Sequence, residues 1–330
     1  MNTTRYEFNK QKALELWEQA YNLIKSDPYL IDYAKSSIER TLNIEFDEQI
    51  HPARFPEAIS SIVLANEDET FFDFEIWKNN IIDQDKPVYY KSPFQNVQLI
   101  DSMYAYDAFN YSRKPNIGSV FDDQPILNRR RILGHSNRLN MTLKRMVNNN
   151  IIEEKEISNA IESIKSKING ILPGDFVLNN DGTFYIEKEV KIKLSNLATG
   201  SKLFTIIKML LSRGEIQEDS LLILDEPEAH LHPEWQNIFA EIIVLLVKKL
   251  GVCILLTTHS PNLMLALETY MRKYKINDIC NFYQTHHYED NYFVDYECVN
   301  NDLDKIYYDF VKYFSDIKAE REMYILNDGE

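Results

Sequence analysis

Beyond Leu194 the sequence alternates between helical and strand patterns, and this alternation limits the possible fold more than any other feature. Two unalternating apolar runs, at residues 220–224 and 252–256, flank an amphipathic helical pattern that begins near Pro233 and ends at Gly251. Unalternating runs are typical of parallel strands covered on both faces, and a helix between two such runs is a crossover connection. The sequence therefore predicts an α/β fold, with a mixed sheet and crossover helices.

Polar side chains follow both predicted strands. Asp225 and Glu226 come directly after the first strand, and Thr257, Thr258 and His259 come directly after the second. Open α/β sheets bind ligands at the carboxyl ends of their parallel strands, so we expect these residues to meet at one edge. One carboxylate can hold a hydrated magnesium ion, the other can polarise a water molecule, and a histidine beside them can sense a phosphate.

A turn of small residues precedes another amphipathic helix, which is predicted to begin near Gly200 and to end before Gly214. The free N–H groups and the positive dipole end of such a helix attract anions. Thr199, Gly200, Ser201 and Lys202 form this turn, and Lys202 adds a positive charge. Taken alone, the turn is better explained as an ordinary helix cap, but its order relative to the two strand ends favours an anion site.

The first half of the chain has a different pattern. Residues 1–170 are predicted to form a helical and loop-rich insertion region with short strands, which include strands at 71–77 and 97–100, a polar loop over 104–128 and a helix over 153–169. Residues 171–330 are predicted to form the α/β core, which begins with an antiparallel hairpin of segments 175–178 and 183–194. The core is predicted to end in a second hairpin and a helix.

The bulk properties exclude several classes of protein. A net charge of −15 argues against a broadly nucleic-acid-binding surface, although the three arginines at 129–131 leave a local patch open. The longest apolar runs are too short to cross a membrane, and no secretory signal is visible. Three cysteines without paired spacing favour reduced, buried thiols. We therefore expect a cytoplasmic protein.

Several motifs resemble those of ABC-type ATPases. The block at 221–227 resembles a Walker B motif with its catalytic glutamate, residues 198–202 resemble the signature loop, and His259 resembles the switch histidine. The position of the D-loop is occupied by Ala229, His230, Leu231 and His232. The runs at 196–202 and 225–236 are most similar to bacterial AAA family ATPases related to RecF, SMC and the overcoming-lysogenization-defect nucleases. The resemblance makes residues 171–330 an ABC-like ATPase core.

This resemblance implies an ABC-type P-loop NTPase fold and a dimer, of identical or different chains, with ATP and Mg²⁺ between the subunits. Glu226 would be the general base, Asp225 would hold Mg²⁺ through water, and His259 would contact the γ-phosphate. The signature residues Thr199, Gly200, Ser201 and Lys202 would bind the nucleotide of the partner subunit. Nucleotide-dependent dimerisation would then control a partner, such as a nuclease or toxin in bacterial defence.

Two departures from the family pattern affect this prediction. The signature loop normally has a serine where this chain has Ala198. None of the nine glycines is followed by lysine, so the sequence contains no Gly-Lys-Ser/Thr loop to hold the phosphates. We expect that loop to be encoded upstream of Met1 or contributed by another chain. The alternative is a non-hydrolysing pseudo-ATPase, or complementing half, that serves as an interaction module.

Two histidine pairs could suggest metal sites. His230 and His232 are explained by the D-loop position, which we favour over metal ligation. His286 and His287 lie between predicted strands at 281–284 and 292–296, and a polar hairpin turn is the favoured interpretation. The sequence therefore predicts no metal ligand other than Asp225.

Overall fold

A computed structural model of the chain describes residues 59–65, 70–77, 80–82, 94, 96–101, 139, 142–143, 155–179, 182–287, 294–300 and 302–327. The chain divides into two compact units, Met1–Leu99 with Tyr104–Arg145, and Ile100–Met103 with Met146–Glu330. The predicted loop at 104–128 and the arginines at 129–131 lie outside the described residues. The predicted domain boundary at residue 170 stays a prediction.

The first unit contains a small antiparallel sheet. Its strands are β1 (Ser60–Ala65), β2 (Thr70–Trp77) and β3 (Asn80–Ile82), in that order. A bulge between Leu64 and Ala65 interrupts the pairing of β1 with β2. A further strand, β4 (Asn96–Ile100), follows along the chain. The strands predicted at 71–77 and 97–100 are therefore confirmed.

The second unit begins with a helix and an antiparallel sheet. Helix α1 (Lys155–Asn169) buries Ile161, Ile164 and Ile168, as its helical spacing predicts. Strands β5 (Asp175–Asn179), β6 (Gly182–Glu187) and β7 (Val190–Lys193) follow, and β6 lies between the other two. The hairpin is confirmed, but the single strand predicted over 183–194 is wrong. Lys188 adopts a left-handed φ of 54°, which turns the chain back and divides the segment into β6 and β7.

The second unit continues with a parallel pair of strands and their flanking helices, and the second strand of the pair is not buried, with Leu255 58% exposed. A short 3₁₀ helix (Leu194–Asn196) leads into α2 (Thr199–Ser212), which is followed by β8 (Ser220–Asp225), α3 (Pro233–Leu250), β9 (Cys253–Thr257) and α4 (Pro261–Tyr274). Strand β8 pairs in parallel with β9, with α3 as the crossover. The predicted α/β fold with parallel strands and crossover helices is confirmed.

The helices of this unit form its core. Phe204 of α2 packs edge-on against Trp235 and Phe239 of α3, with ring centroids 5.9 and 6.1 Å apart. Nearly every residue of α2 is buried, so this helix is enclosed by the unit. Helix α3 also packs against α1 and α4. Gly251 ends α3 at a left-handed φ of 67°, as the sequence predicts.

The described chain ends in a hairpin and a long helix. After a 3₁₀ turn (Asn277–Ile279), strands β10 (Tyr283–His287) and β11 (Val294–Cys298) pair in antiparallel fashion, and α5 (Asp304–Asn327) follows. The hairpin and the helix are confirmed, but the prediction that His286 and His287 form the turn is wrong. Both belong to β10, because the strand continues through them and His286 Nε2 lies 2.9 Å from Glu297 Oε2 on β11.

Two further sequence expectations concern the surface. None of the helices in the described ranges combines the length and the apolar composition that crossing a membrane would need. The three cysteines have free thiols, but Cys253 and Cys298 are exposed. The expectation of buried thiols is therefore wrong for these two, because Cys298 lies on an exposed hairpin and Cys253 lies at an exposed position of β9.

Candidate functional site

The carboxyl ends of β8 and β9 meet through a threonine hydroxyl. Asp225 and Thr257 are register partners at the last position of the two strands. Thr257 Oγ1 donates a hydrogen bond to Asp225 Oδ1 at 2.5 Å and accepts one from the Glu226 N–H at 3.1 Å. One hydroxyl therefore ties the two strand ends together, and Asp225 remains exposed at the edge.

Glu226 and His259 face each other at this edge. Glu226 Oε1 lies 3.2 Å from His259 Nε2, and the two side chains are 52% and 85% exposed. Glu226 also adopts a left-handed φ of 43°. Such a conformation is strained for a residue with a Cβ and is concentrated at functional sites. The structure thus brings together the two residues for which the sequence predicts catalytic roles.

The buried side chain of Glu228 accepts hydrogen bonds from the loop that carries His259. Oε1 of Glu228 accepts hydrogen bonds from the His259 N–H at 3.0 Å and from Thr258 Oγ1 at 2.5 Å. The residue is only 7% exposed, and within the described ranges its other oxygen, Oε2, has no hydrogen-bond partner. Sequence reasoning gave Glu228 no role. Its only signal was a third acid, two residues after Glu226, and burial is unusual for glutamate.

The segment predicted as the D-loop forms a compact turn before α3. The Ala229 N–H donates to the Glu226 carbonyl, and the Leu231 N–H donates to the Glu228 carbonyl at 3.1 and 2.8 Å. Leu231 is buried, while Ala229, His230 and His232 are exposed. His232 caps α3, because its Nδ1 accepts a hydrogen bond from the Glu234 N–H at 3.4 Å. No group of three or more potential metal ligands occurs among the described residues.

The turn predicted as the signature loop lies against this segment. A Cβ on Gly200 would stand 2.7 Å from the His230 carbonyl oxygen, so only glycine allows this approach. Gly200, Ser201 and Lys202 are buried, and Thr199 is half-buried. Ala198 at the start of α2 provides no side-chain cap for the first N–H groups of the helix. The structure therefore brings Gly200 to the D-loop segment rather than to Asp225 or Glu226.

A polar network connects the His259 loop to the start of α3 and α4. Ser260 caps α4 through the Leu263 N–H at 3.1 Å and donates to Gln236 Oε1 at 2.7 Å. Gln236 Nε2 in turn donates to the Leu231 carbonyl at 3.1 Å. Asn262 also donates to Gln236 Oε1. The loop after β9 is thus bound on both sides, which limits how far His259 can move.

The exposed groups at the strand ends suit a magnesium-bound phosphate. Carboxylate and hydroxyl oxygens are the hard ligands that Mg²⁺ takes, and this ion is commonly held through one carboxylate and several waters. Asp225 supplies an exposed carboxylate, which Thr257 holds through a single oxygen. The residues present therefore fit Mg²⁺, and the role given to Asp225 stays a prediction.

A family profile matches most of the chain. It is the profile described as "AAA domain, putative AbiEii toxin, Type IV TA system", and it matches residues 3–266. The chain belongs to this AAA family. The predicted class, a P-loop ATPase of the AAA type, is thereby confirmed. No curated protein matches the chain.

Solved structures with some likeness to this AAA family member include three from SMC proteins. An SMC head bound to the C-terminal winged-helix domain of ScpA has a TM-score of 0.42 and 12% identity, and covers 82% of this chain and 88% of that one. An SMC ATPase described for ATP-driven dimerization and DNA-stimulated activation has a TM-score of 0.33 and 14% identity, with 50% and 92% covered. A Pyrococcus furiosus Smc head bound to ScpA has a TM-score of 0.31 and 15% identity, with 50% and 38% covered.

Proposed function

We propose that this AAA family chain contributes the hydrolytic centre of an ABC-like ATPase, which binds ATP and Mg²⁺ between two subunits. The observation that carries the proposal is the 3.2 Å contact between Glu226 and His259, beside Asp225 at the end of a parallel strand. Acid, base and phosphate-sensing groups that converge at such an edge suit phosphoryl transfer, in which positioning and charge stabilisation supply most of the catalysis.

Each residue of this centre has a distinct proposed role. Asp225 holds Mg²⁺ through water, and Thr257 keeps its carboxylate at the strand end. Glu226 accepts a proton from the attacking water, and the imidazole of His259 keeps that carboxylate in place before it contacts the γ-phosphate. When bound, Mg²⁺ neutralises negative charge on the phosphates.

The start of α2 is proposed to serve the nucleotide of the partner subunit. Its first N–H groups receive no side-chain cap from Ala198, which leaves the positive end of the helix suited to a phosphate. Thr199, Gly200, Ser201 and Lys202 form this signature turn, and Ala229, His230, Leu231 and His232 form the D-loop beside it. The arrangement requires a homodimer or heterodimer, with the phosphate-binding loop supplied from outside these residues.

The proposed consequence of dimerisation is control of a partner. The family description names a putative toxin of a toxin–antitoxin system. We therefore propose an effector protein of bacterial defence as the partner, which the family association supports. The proposed location is the cytoplasm, which the unpaired spacing of the three cysteines supports.

Nucleotide binding and turnover by the Glu226→Gln variant test the proposal. We expect this variant to bind Mg²⁺-ATP as wild type does and to lose about 100-fold or more in turnover, because the general base is removed. Isothermal titration and a phosphate-release assay measure the two quantities. Glu162→Gln, on the exposed face of α1, is the matched control and should behave as wild type.

The same variant also tests dimerisation. An ATPase that closes around nucleotide should accumulate as a dimer when hydrolysis is blocked, so Glu226→Gln with ATP should sediment as a dimer and without ATP as a monomer. The assay is run on the chain alone and with its upstream coding sequence included. If neither form binds ATP with Mg²⁺, the hydrolytic proposal is wrong and the non-hydrolysing interaction module is the better description.

A further inference from the structure

A single buried oxygen, Oε1 of Glu228, controls the loop that carries His259. It accepts hydrogen bonds from the backbone of His259 and from the hydroxyl of Thr258. That hydroxyl accepts a third hydrogen bond, from the Ser260 N–H at 3.0 Å. The conformation of three consecutive residues therefore depends on one carboxylate that lies 31 residues away in sequence.

The backbone of Glu228 is fixed by a hydrogen bond of its own. Its carbonyl accepts the Leu231 N–H, which fixes the residue within the turn before α3. Burial keeps water from competing for its carboxylate, which strengthens the hydrogen bonds to Oε1. A rigid support of this kind transmits the position of the turn directly to the His259 backbone.

The second carboxylate oxygen of Glu228, Oε2, does not hydrogen-bond to the His259 loop in the part of the chain that the structure describes. Oε2 is buried and has no hydrogen-bond partner among the described residues. The support therefore depends on an acceptor at Oε1 and on the length of the side chain. A glutamine preserves both properties, whereas an alanine removes them and leaves a buried N–H without its acceptor.

We infer that Glu228 is the positioning residue of His259, which it holds where the imidazole meets Glu226. The inference deepens the proposed function, since His259 is the proposed contact of the γ-phosphate there. Glu228 does not touch the reacting atoms. It acts through the backbone of the loop, and its loss should release His259 without removing any group from the strand ends.

Amide hydrogen exchange of the full chain tests this hold without nucleotide. In peptides that cover residues 257–262, Glu228→Ala should speed exchange of the His259 and Ser260 amides by roughly 10- to 100-fold, the factor expected when a buried N–H loses its acceptor. Glu228→Gln should stay within about threefold of wild type, because it keeps the acceptor. Unchanged exchange in Glu228→Ala, or equal acceleration in Glu228→Gln, would overturn the inference.

A milder pair of variants keeps the test decisive if Glu228→Ala does not fold. Thr258→Val removes only the hydroxyl and should speed exchange of the Ser260 amide by about fivefold, while Thr258→Ser should restore protection. Peptides from α1 should exchange as in wild type in every variant that is compared. Equal exchange in the valine and serine variants would contradict the role given to this network.

Measurements of ATP turnover by Glu228 variants test the positioning role and the proposed ATPase function separately. Glu228→Ala should lower kcat by about 10-fold or more with unchanged ATP affinity, and Glu228→Gln should recover it. The double variant Glu228→Ala/His259→Ala should lose no more kcat than His259→Ala alone, because Glu228 acts only through that imidazole. A full additional loss would overturn the inference. If wild type neither binds nor hydrolyses ATP, the proposed function fails, and hydrogen exchange alone decides on Glu228.

Discussion

Glu226 and Glu241 are two glutamates of the same unit with opposite surroundings. Glu241 is buried on α3, where it accepts hydrogen bonds from Lys167 at 2.6 Å, Lys273 at 2.9 Å and Tyr274 at 2.5 Å. Glu226 is half exposed and meets His259. The carboxylate of Glu241 accepts hydrogen bonds from both α1 and α4 and therefore links these helices to α3. The carboxylate of Glu226 is exposed at a strand end and can still accept a proton or a hydrogen bond from a ligand.

The three hydrogen-bond donors around Glu241 change the pKa of its carboxyl group. Burial alone raises the pKa of a carboxyl group, but the hydrogen bonds from Lys167, Tyr274 and Lys273 overcome that effect and lower the pKa of Glu241 to about 2. Glu241 is therefore ionised near neutral pH. Its charge is fixed, so its contribution is to stability.

The comparison predicts its largest effect when each glutamate is replaced by alanine. Glu241→Ala should lower the free energy of unfolding by about 2–3 kcal/mol, since two lysines and a tyrosine lose their common acceptor. Glu226→Ala should stay within about 0.5 kcal/mol of wild type, as most exposed positions do. Urea unfolding followed by circular dichroism measures both. Equal losses would show that the strand-end site is as important for stability as the helix interface.

A second prediction tests the close contact between Gly200 at the start of α2 and the backbone of the D-loop segment. Gly200→Ala should cost about 1–3 kcal/mol, because the new methyl group would meet the His230 carbonyl, a backbone atom that cannot rotate away. Thr199→Ala, one residue earlier and half-buried, is the control and should cost less than about 1 kcal/mol. The same unfolding experiment applies. A harmless Gly200→Ala would mean that the D-loop segment can move away from α2 at little cost.

A third prediction concerns acid. The pKa of Glu241 is about 2 in the folded chain against 4.5 ordinarily, so its stabilisation is complete above pH 4.5 and is lost as the pH falls from about 4.5 to about 2. The loss should be on the order of 1–2 kcal/mol after allowance for solvent screening. Unfolding midpoints of wild type and Glu241→Gln at several pH values measure it. The difference between the two should shrink as the pH falls, and a constant difference would contradict this assignment.

The smallest effect is expected from backbone strain at Glu226. Its φ of 43° suits glycine better than glutamate. Glu226→Gly should therefore unfold at a free energy equal to that of Glu226→Ala or up to about 1 kcal/mol higher, although glycine is normally the less stable choice. Thermal unfolding of the two variants compares them directly. A lower stability for the glycine variant would show that the left-handed conformation carries no strain.

The parallel strands and their crossover could be predicted because local patterns determine them. The apolar runs of β8 and β9 and the apolar stripe of α3, from Trp235 to Leu250, are visible in the sequence, and Pro233 and Gly251 mark the helix ends. The split of the predicted strand at Lys188 was missed, because a lysine in a left-handed turn leaves no compositional signal. The extension of β10 through His286 depends on its partner across the hairpin, which local composition does not reveal.

The exposed residues of the candidate site could be predicted from the sequence, but the buried residues around them could not. Asp225, Glu226 and His259 follow strand ends, and the register of β8 with β9 brings them together as topology requires. Glu228 and Glu241 were missed, because what distinguishes them is burial and partners about 30 residues away. The burial of Lys202 was missed for the same reason, since a lysine in the first turn of a helix is ordinarily exposed.

The contact of Trp235 with α2 makes this tryptophan an intrinsic fluorescence probe of the start of α2. The indole lies edge-on to Phe204, and the nearest indole carbon would be 3.5 Å from a Cβ at Gly200. Any displacement of the start of α2 relative to the start of α3 must change the surroundings of this ring. With Trp17 and Trp77 replaced by phenylalanine, the fluorescence of Trp235 would follow the signature turn in real time, without an attached dye.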